Sequence, residues 1–252
     1  MSISRNELLQ ACDTFLSTQA IADYCPNGLQ VEGSEHIQCI VSGVSASQAL
    51  IERAIELKAD ALLVHHGYFW KGEDQRIIGM KQRRIKALLA HDINLIGYHL
   101  PLDIHPEVGN NVQLAQRLGI NITGGLDPNN PYSIGLLGEL TQSVTATELA
   151  ERINLALQRP PLTIDVQRPI KTVAWCTGGA QDYIAKAAAL NADAYITGEV
   201  SERTVLFARE NNINFFAAGH HATERYGVQA LGEWLAKRFN LTHHFIDCDN
   251  PA

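Results

Sequence analysis

Residues 37–66 and 170–199 of this chain match at a constant offset of 133. Ile37/Ile170, Gln48/Gln181, Ile51/Ile184, Ala54/Ala187, Leu57/Leu190 and Ala59-Asp60-Ala61/Ala192-Asp193-Ala194 are identical, eight identities in 30 positions. The first copy reads as a strand (37–41), an amphipathic helix (47–57, with Ser47 as N-cap) and a buried strand (61–64). Convergent packing of an amphipathic helix on a sheet produces some matches of this kind. A duplicated module also explains why every match falls in phase with one strand–helix–strand unit.

The alternation continues outside the repeat. A helix is expected over 77–91 and a strand over 93–97. Further on, strands are expected over 173–176, 194–197 and 213–216, with helices near 181–190, 202–211 and 223–239. Such alternation specifies an α/β protein with parallel strands and helices on the sheet faces. The expectation is two similar α/β domains from an internal duplication. Gly124-Gly125 and the turn-rich 127–131 mark the approximate boundary, giving domains 1–125 and 126–252, with room for the two to interlink. Arg159-Pro160-Pro161 reads as a helix-ending loop within the second.

Composition narrows the function classes. Lys plus Arg number 20 against 27 for Asp plus Glu, a formal charge of −7, so general binding to a phosphate backbone is not expected. No apolar run approaches the roughly 20 residues of a membrane span, and the first residues lack the basic and apolar regions of a signal peptide. The five cysteines (Cys12, Cys25, Cys39, Cys176, Cys248) are scattered and form no CxxC. They read as reduced thiols of a cytoplasmic protein, and leave metal chemistry to nitrogen and oxygen donors.

Those donors are concentrated. Six of ten histidines lie in adjacent pairs, His65-His66, His220-His221 and His243-His244. His65-His66 end a strand, where open α/β sheets place ligands. Taken alone, the pair reads as well as two strand-end imidazoles, one bonded to backbone and one solvated. Asp103, with His99 nearby, follows the next strand, although an Asp there also suits a loop or cap. His220 and Glu224 follow a third strand end, four residues apart on one helix face, where Glu224 also complements the helix dipole. Three imidazoles and two carboxylates exceed one closed tetrahedral site and suit two divalent ions with a bridging carboxylate, for which Glu224 is the candidate. Zn, Mn, Fe or Ni all accept such a set.

HHGYFWKG (65–72), YHLPLDIHPEVGNN (98–111) and GHHATE (219–224) together resemble the type 2 GTP cyclohydrolase I family, also called the interacting-factor-3-like family, in its short bacterial branch. The resemblance covers essentially the whole chain. It implies dinuclear metal ligands at His65, His66, Asp103, His220 and Glu224, two α/β domains with the metals between them, and a ring-shaped homohexamer. The family name implies a hydrolase that opens the guanine ring of GTP; hydrolysis of a damaged nucleotide or a phosphoester belongs to the same chemistry. The other family name implies a different class, a non-catalytic metal-binding scaffold or interaction protein.

His99 and His221 adjoin the ligand positions, as proton shuttles and catalytic groups or as partners that hold a ligand's tautomer. Tyr68, Phe69 and Trp70 either stack a base or pack under a loop. Lys71, Arg76, Lys81, Arg83, Arg84 and Lys86 form either a phosphate-facing patch or a solvated helix face. No role is assigned to His243-His244, which fall in a C-terminal strand.

Overall fold

The computed structural model describes residues 2–252. From the N-terminus the elements are β1 (Ile3–Ser4), α1 (Arg5–Leu16), β2 (Gly28–Val31), β3 (His36–Ile37), β4 (Cys39–Ser45), α2 (Gln48–Glu56), β5 (Ala61–His66), α3 (Gly79–Ala90), β6 (Asn94–Gly97) and α4 (Leu100–Ile104). They continue as α5 (Asn110–Leu118), β7 (Ile120–Gly125), β8 (Leu136–Val144), α6 (Ala146–Leu157), β9 (Leu162–Ile164), β10 (Ile170–Trp175), α7 (Ile184–Ala189), β11 (Ala194–Thr197), α8 (Glu202–Glu210), β12 (Asn214–Ala217), α9 (His220–Phe239) and β13 (Thr242–Phe245). The chain divides into two compact units, Met1–Val108 with Gly227–Asp249, and Gly109–Tyr226 with Asn250–Ala252. Each is an α/β unit. No helix among the described residues is long and apolar enough to cross a membrane.

The first unit is built on a five-stranded sheet of order β13-β4-β5-β6-β2. Strands β4, β5 and β6 are parallel, and β2 closes one edge antiparallel to β6. β5 is buried from Ala61 to His65, as a strand covered on both faces must be. Its side chains alternate: Ala61 and Leu63 join one core with Leu8, Cys12, Leu16 and the α9 residues Val228, Leu231 and Leu235. Leu62 and Val64 join the opposite core with Leu50, Ile51 and Ala54 of α2 and Ile85 and Leu88 of α3. The Ser47 hydroxyl caps α2 by accepting from the Leu50 N–H.

The second unit carries a six-stranded sheet of order β7-β8-β10-β11-β12-β9. Again three strands, β10, β11 and β12, are parallel, and β9 closes one edge antiparallel to β12. Val173, Trp175 and Ile196 face a core with Leu149 and Ile153 of α6, while Ala174, Tyr195 and Phe215 face the side covered by α7 and α8. The turn-rich 127–131 lies between β7 and β8, antiparallel neighbours of this one sheet, so it joins strands inside the second unit.

The two units share a connection order. Helix, antiparallel edge strand, then strand–helix–strand–helix–strand describes α1-β2-β4-α2-β5-α3-β6 and also α6-β9-β10-α7-β11-α8-β12. The repeat extends to hydrogen bonds. The Asp60 carboxylate accepts the N–H groups of Gln38 (2.7 Å) and Cys39 (2.9 Å); the Asp193 carboxylate accepts those of Lys171 (2.9 Å) and Thr172 (2.8 Å). Asn94 and Asn214, both fully buried, each donate to the carbonyl of that aspartate and accept a backbone N–H before the neighbouring first strand.

Candidate metal-binding site

In parallel sheets of this kind the carboxyl ends of the strands are where chemistry gathers. At that end of β5 stand His65 and His66; beyond β6 come His99 and Asp103. The strand continues through both β5 histidines, so they are strand residues, not loop residues. Their rings nevertheless lie with centroids 4.6 Å apart.

Each ring has one nitrogen fixed. His65 Nδ1 bonds the Tyr98 carbonyl oxygen at 2.9 Å; a carbonyl only accepts, so Nδ1 carries the proton and Nε2 is the lone-pair nitrogen. That Nε2 stands 3.5 Å from Asp103 Oδ1, and both groups are buried. His66 Nδ1 bonds the Ser45 hydroxyl at 3.0 Å. His99 Nδ1 donates to Asp23 Oδ1 at 3.0 Å. Ring nitrogens of His65, His66 and His99 lie within 4.8 Å of one another. Carboxylate or carbonyl on one nitrogen with the other presented is how metal-binding imidazoles are held.

In the second unit α9 begins at His220, three residues before the apolar pattern starts, so His220 and Glu224, four apart, stand one above the other on the same helix face. His220 Nε2 lies 3.2 Å from Glu224 Oε2, and His220 Nδ1 2.7 Å from Glu199 Oε1. Burial disfavours the charged imidazole, but hydrogen bonds and charge attraction from Glu224 and Glu199 outweigh it and raise the pKa to about 9. A proton is thus held where two carboxylates would welcome a cation. The turn after β10 completes this corner: the Gly178 N–H donates to Thr223 Oγ1 at 3.0 Å, and a Cβ on Gly178 would meet Glu224 and His220.

His221, one position along the helix from His220, projects about 100° away from it; it is buried, and its N–H donates to the Ala252 carbonyl. Tyr68 belongs to the core and its hydroxyl donates to the Ala46 carbonyl, while Phe69 is exposed beneath Lys81. Trp70 stands edge-on to His99 with centroids 5.0 Å apart. Arg76 and Lys81 pair with Asp74 and Glu73 on the surface. His243 bonds the buried Ser42 hydroxyl at 2.7 Å in β13–β4 pairing.

Glu199 stands opposite His66 in the repeat, at a strand end where the sequence points to a site, though it was not among the candidate donors; Asp23 escaped sequence reasoning, lying 76 residues from the histidine it holds. A family model described as Duf34/NIF3 (NGG1p interacting factor 3) matches residues 3–251. The chain belongs to the NIF3 family. Among curated relatives, a GTP cyclohydrolase 1 type 2 homolog of Pseudomonas aeruginosa is 60% identical over 252 residues, with all of both chains covered. One of Escherichia coli K12 with the same name is 54% identical, covering 99% of this chain and all of its own. Among solved structures, protein ybgI, of unknown function, superposes with a TM-score of 0.95 at 54% identity, covering 99% of this chain and all of that one. TTHA1606 from Thermus thermophilus gives 0.88 at 32%, with the same coverage. This NIF3 chain holds its His, Asp and Glu clusters in geometry that can bind metal ions.

Proposed function

We propose that His65, His66 and Asp103 of the first unit act with His220 and Glu224 of the second on two divalent ions, Glu224 serving both. On this reading the protein is a metal-dependent hydrolase of a nucleotide-like substrate. The observation that carries it is the tautomer pattern: His65 Nδ1 is spent on a carbonyl and His220 Nδ1 on a carboxylate, so each directs Nε2 toward a buried carboxylate. Nitrogen and oxygen donors of this kind fit Zn, Mn, Fe or Ni. Two such ions, when bound, activate water and polarise a substrate oxygen.

The chain's own groups supply the rest. Ser45, the Tyr98 carbonyl and Glu199 hold the imidazoles in orientation, and Trp70 with Tyr24 walls the first-unit cluster. The names of the relatives support GTP or a related nucleotide as substrate, and the ring-shaped homohexamer implied by the sequence motifs belongs to the same proposal.

A hydrolysis screen tests it. Metal-loaded protein is offered GTP, damaged nucleotides and phosphoesters, beside Glu224→Ala. Because even partners of a metal ligand are worth about 10–100-fold, loss of the ligand itself is expected to lower turnover by more than about 100-fold. Turnover that survives both chelation and Glu224→Ala would refute a metal-dependent reaction.

A further inference from the structure

Among the described residues, two groups of possible ion ligands lie wholly within the first unit, and both contain His99: His65/His66/His99 and Asp23/Cys25/His99. Hydrogen bonding separates them. Asp23 Oδ1 accepts from the Tyr24 N–H (2.7 Å) and His99 Nδ1 (3.0 Å), while Oδ2 accepts from Asn27 Nδ2 (3.0 Å) and the Leu100 N–H (2.9 Å). Four donors on two oxygens make this carboxylate a clamp already in use. With both oxygens already accepting from N–H groups of Tyr24, Asn27 and Leu100, Asp23 meets His99 as an acceptor, so His99 Nδ1 carries the proton and Nε2 is its lone-pair nitrogen. Asn27 fixes the same segment by accepting the His99 backbone N–H at 2.8 Å.

The repeated topology supplies an independent argument. His99 follows β6 by two residues, and His220 follows β12, the corresponding strand, by three. Both stand at the start of a helix, and both give Nδ1 to a carboxylate, Asp23 in one unit and Glu199 in the other. In backbone register His99 matches Gly219, one residue before His220, so the two imidazoles hold adjacent rather than equivalent positions beyond the corresponding strands. His99 is also walled by aromatic edges, with Tyr24 and Trp70 each 5.0 Å from it between centroids.

We infer that His99 is itself an ion ligand through Nε2, completing with His65 and His66 a three-imidazole site that the first unit can fill without the second. Asp23 is the positioning residue for that ligand. Three neutral imidazoles form an established donor set for a divalent ion with one position left open. The inference rests on the two-ion reading above but goes beyond its five ligands.

The test is ion binding to the full-length protein, stripped with chelator and titrated with Zn²⁺, then with Co²⁺ read by visible absorption. The double variant His220→Ala/Glu224→Ala is expected to retain one ion per chain, and adding His99→Ala to abolish it. Asp23→Asn in the double-variant background is expected to weaken that ion about 10–100-fold and to shift the Co²⁺ spectrum, which a purely structural role would leave alone. Circular dichroism of each variant confirms folding, and His99→Gln stands in if His99→Ala unfolds. A wild type that binds ions with a double variant that binds none overturns the inference and leaves the two-ion reading intact; so does a triple variant that keeps its ion. A wild type that binds no ion fails the two-ion reading itself.

Discussion

Asn214 shows how much of this fold rests on single polar side chains. It donates to the Arg168 (2.9 Å) and Asp193 (3.1 Å) carbonyls and accepts the Val166 N–H (3.1 Å), with no exposure to solvent. Asn94 does the same with Ser34, Asp60 and Gly33. Removing such a group strands buried backbone partners, each costing about 1–3 kcal/mol. Asn214→Ala is expected to destabilise by about 3 kcal/mol in urea unfolding; a change under about 0.5 kcal/mol would mean the bonds are dispensable. Of these pairs, Asp60/Asp193 was visible in the sequence repeat and Asn94/Asn214 was not. The aspartate and asparagine are 34 residues apart in the first unit but 21 in the second, so the offset of 133 fails before it reaches them. The same length difference hid that His99 and His220 stand one register position apart beyond corresponding strands. The histidine-rich motifs were legible because they are local; Asp23 was not, because only folding brings it to His99.

At the scale of elements, sequence periodicity located the parallel strands and the helices between them, since continuous apolar runs and 3.6-residue patterns arise from burial on both sheet faces. The helix capped by Ser47 and the strand Ala194–Thr197 are where they were expected. Short antiparallel edges such as β2 and β9 left little trace, because half-buried strands of three or four residues have too few positions to show a period. Helix α9 begins earlier than its apolar pattern because polar residues occupy its start: His220 and Glu224 are the proposed donors, and Thr223 bonds the Gly178 turn. That turn depends on glycine. Gly178 has φ +69°, which costs a non-glycine residue about 1–2 kcal/mol, and an added methyl would displace Glu224. Gly178→Ala is expected to remain folded, with a stability loss of that size, while its ion affinity falls at least about tenfold. Isothermal titration with Zn²⁺ decides the point, and an unchanged affinity would detach this turn from the site.

At the scale of the whole molecule, the two-unit α/β organisation was legible in the repeat and the alternation of elements. The common connection order, with an antiparallel edge strand placed identically in each sheet, supports the reading of a duplicated module. The exact exchange points were not legible. The chain passes from one unit to the other at Val108/Gly109, at Tyr226/Gly227 within α9, and at Asp249/Asn250. A helix that runs through such a point offers no loop, proline or shift in composition to mark it. The turn at 127–131 offers all three signals yet joins neighbouring strands of one sheet. Of the five proposed donors, His65, His66 and Asp103 belong to one unit and His220 and Glu224 to the other. The proposed function requires that they serve a common pair of ions, and counting ions tests it most directly. Elemental analysis of protein stripped, reloaded with one divalent metal and freed of excess is expected to find two ions per chain, and at most one in Glu224→Ala. No bound metal in the wild type, or the same content in both proteins, would contradict it.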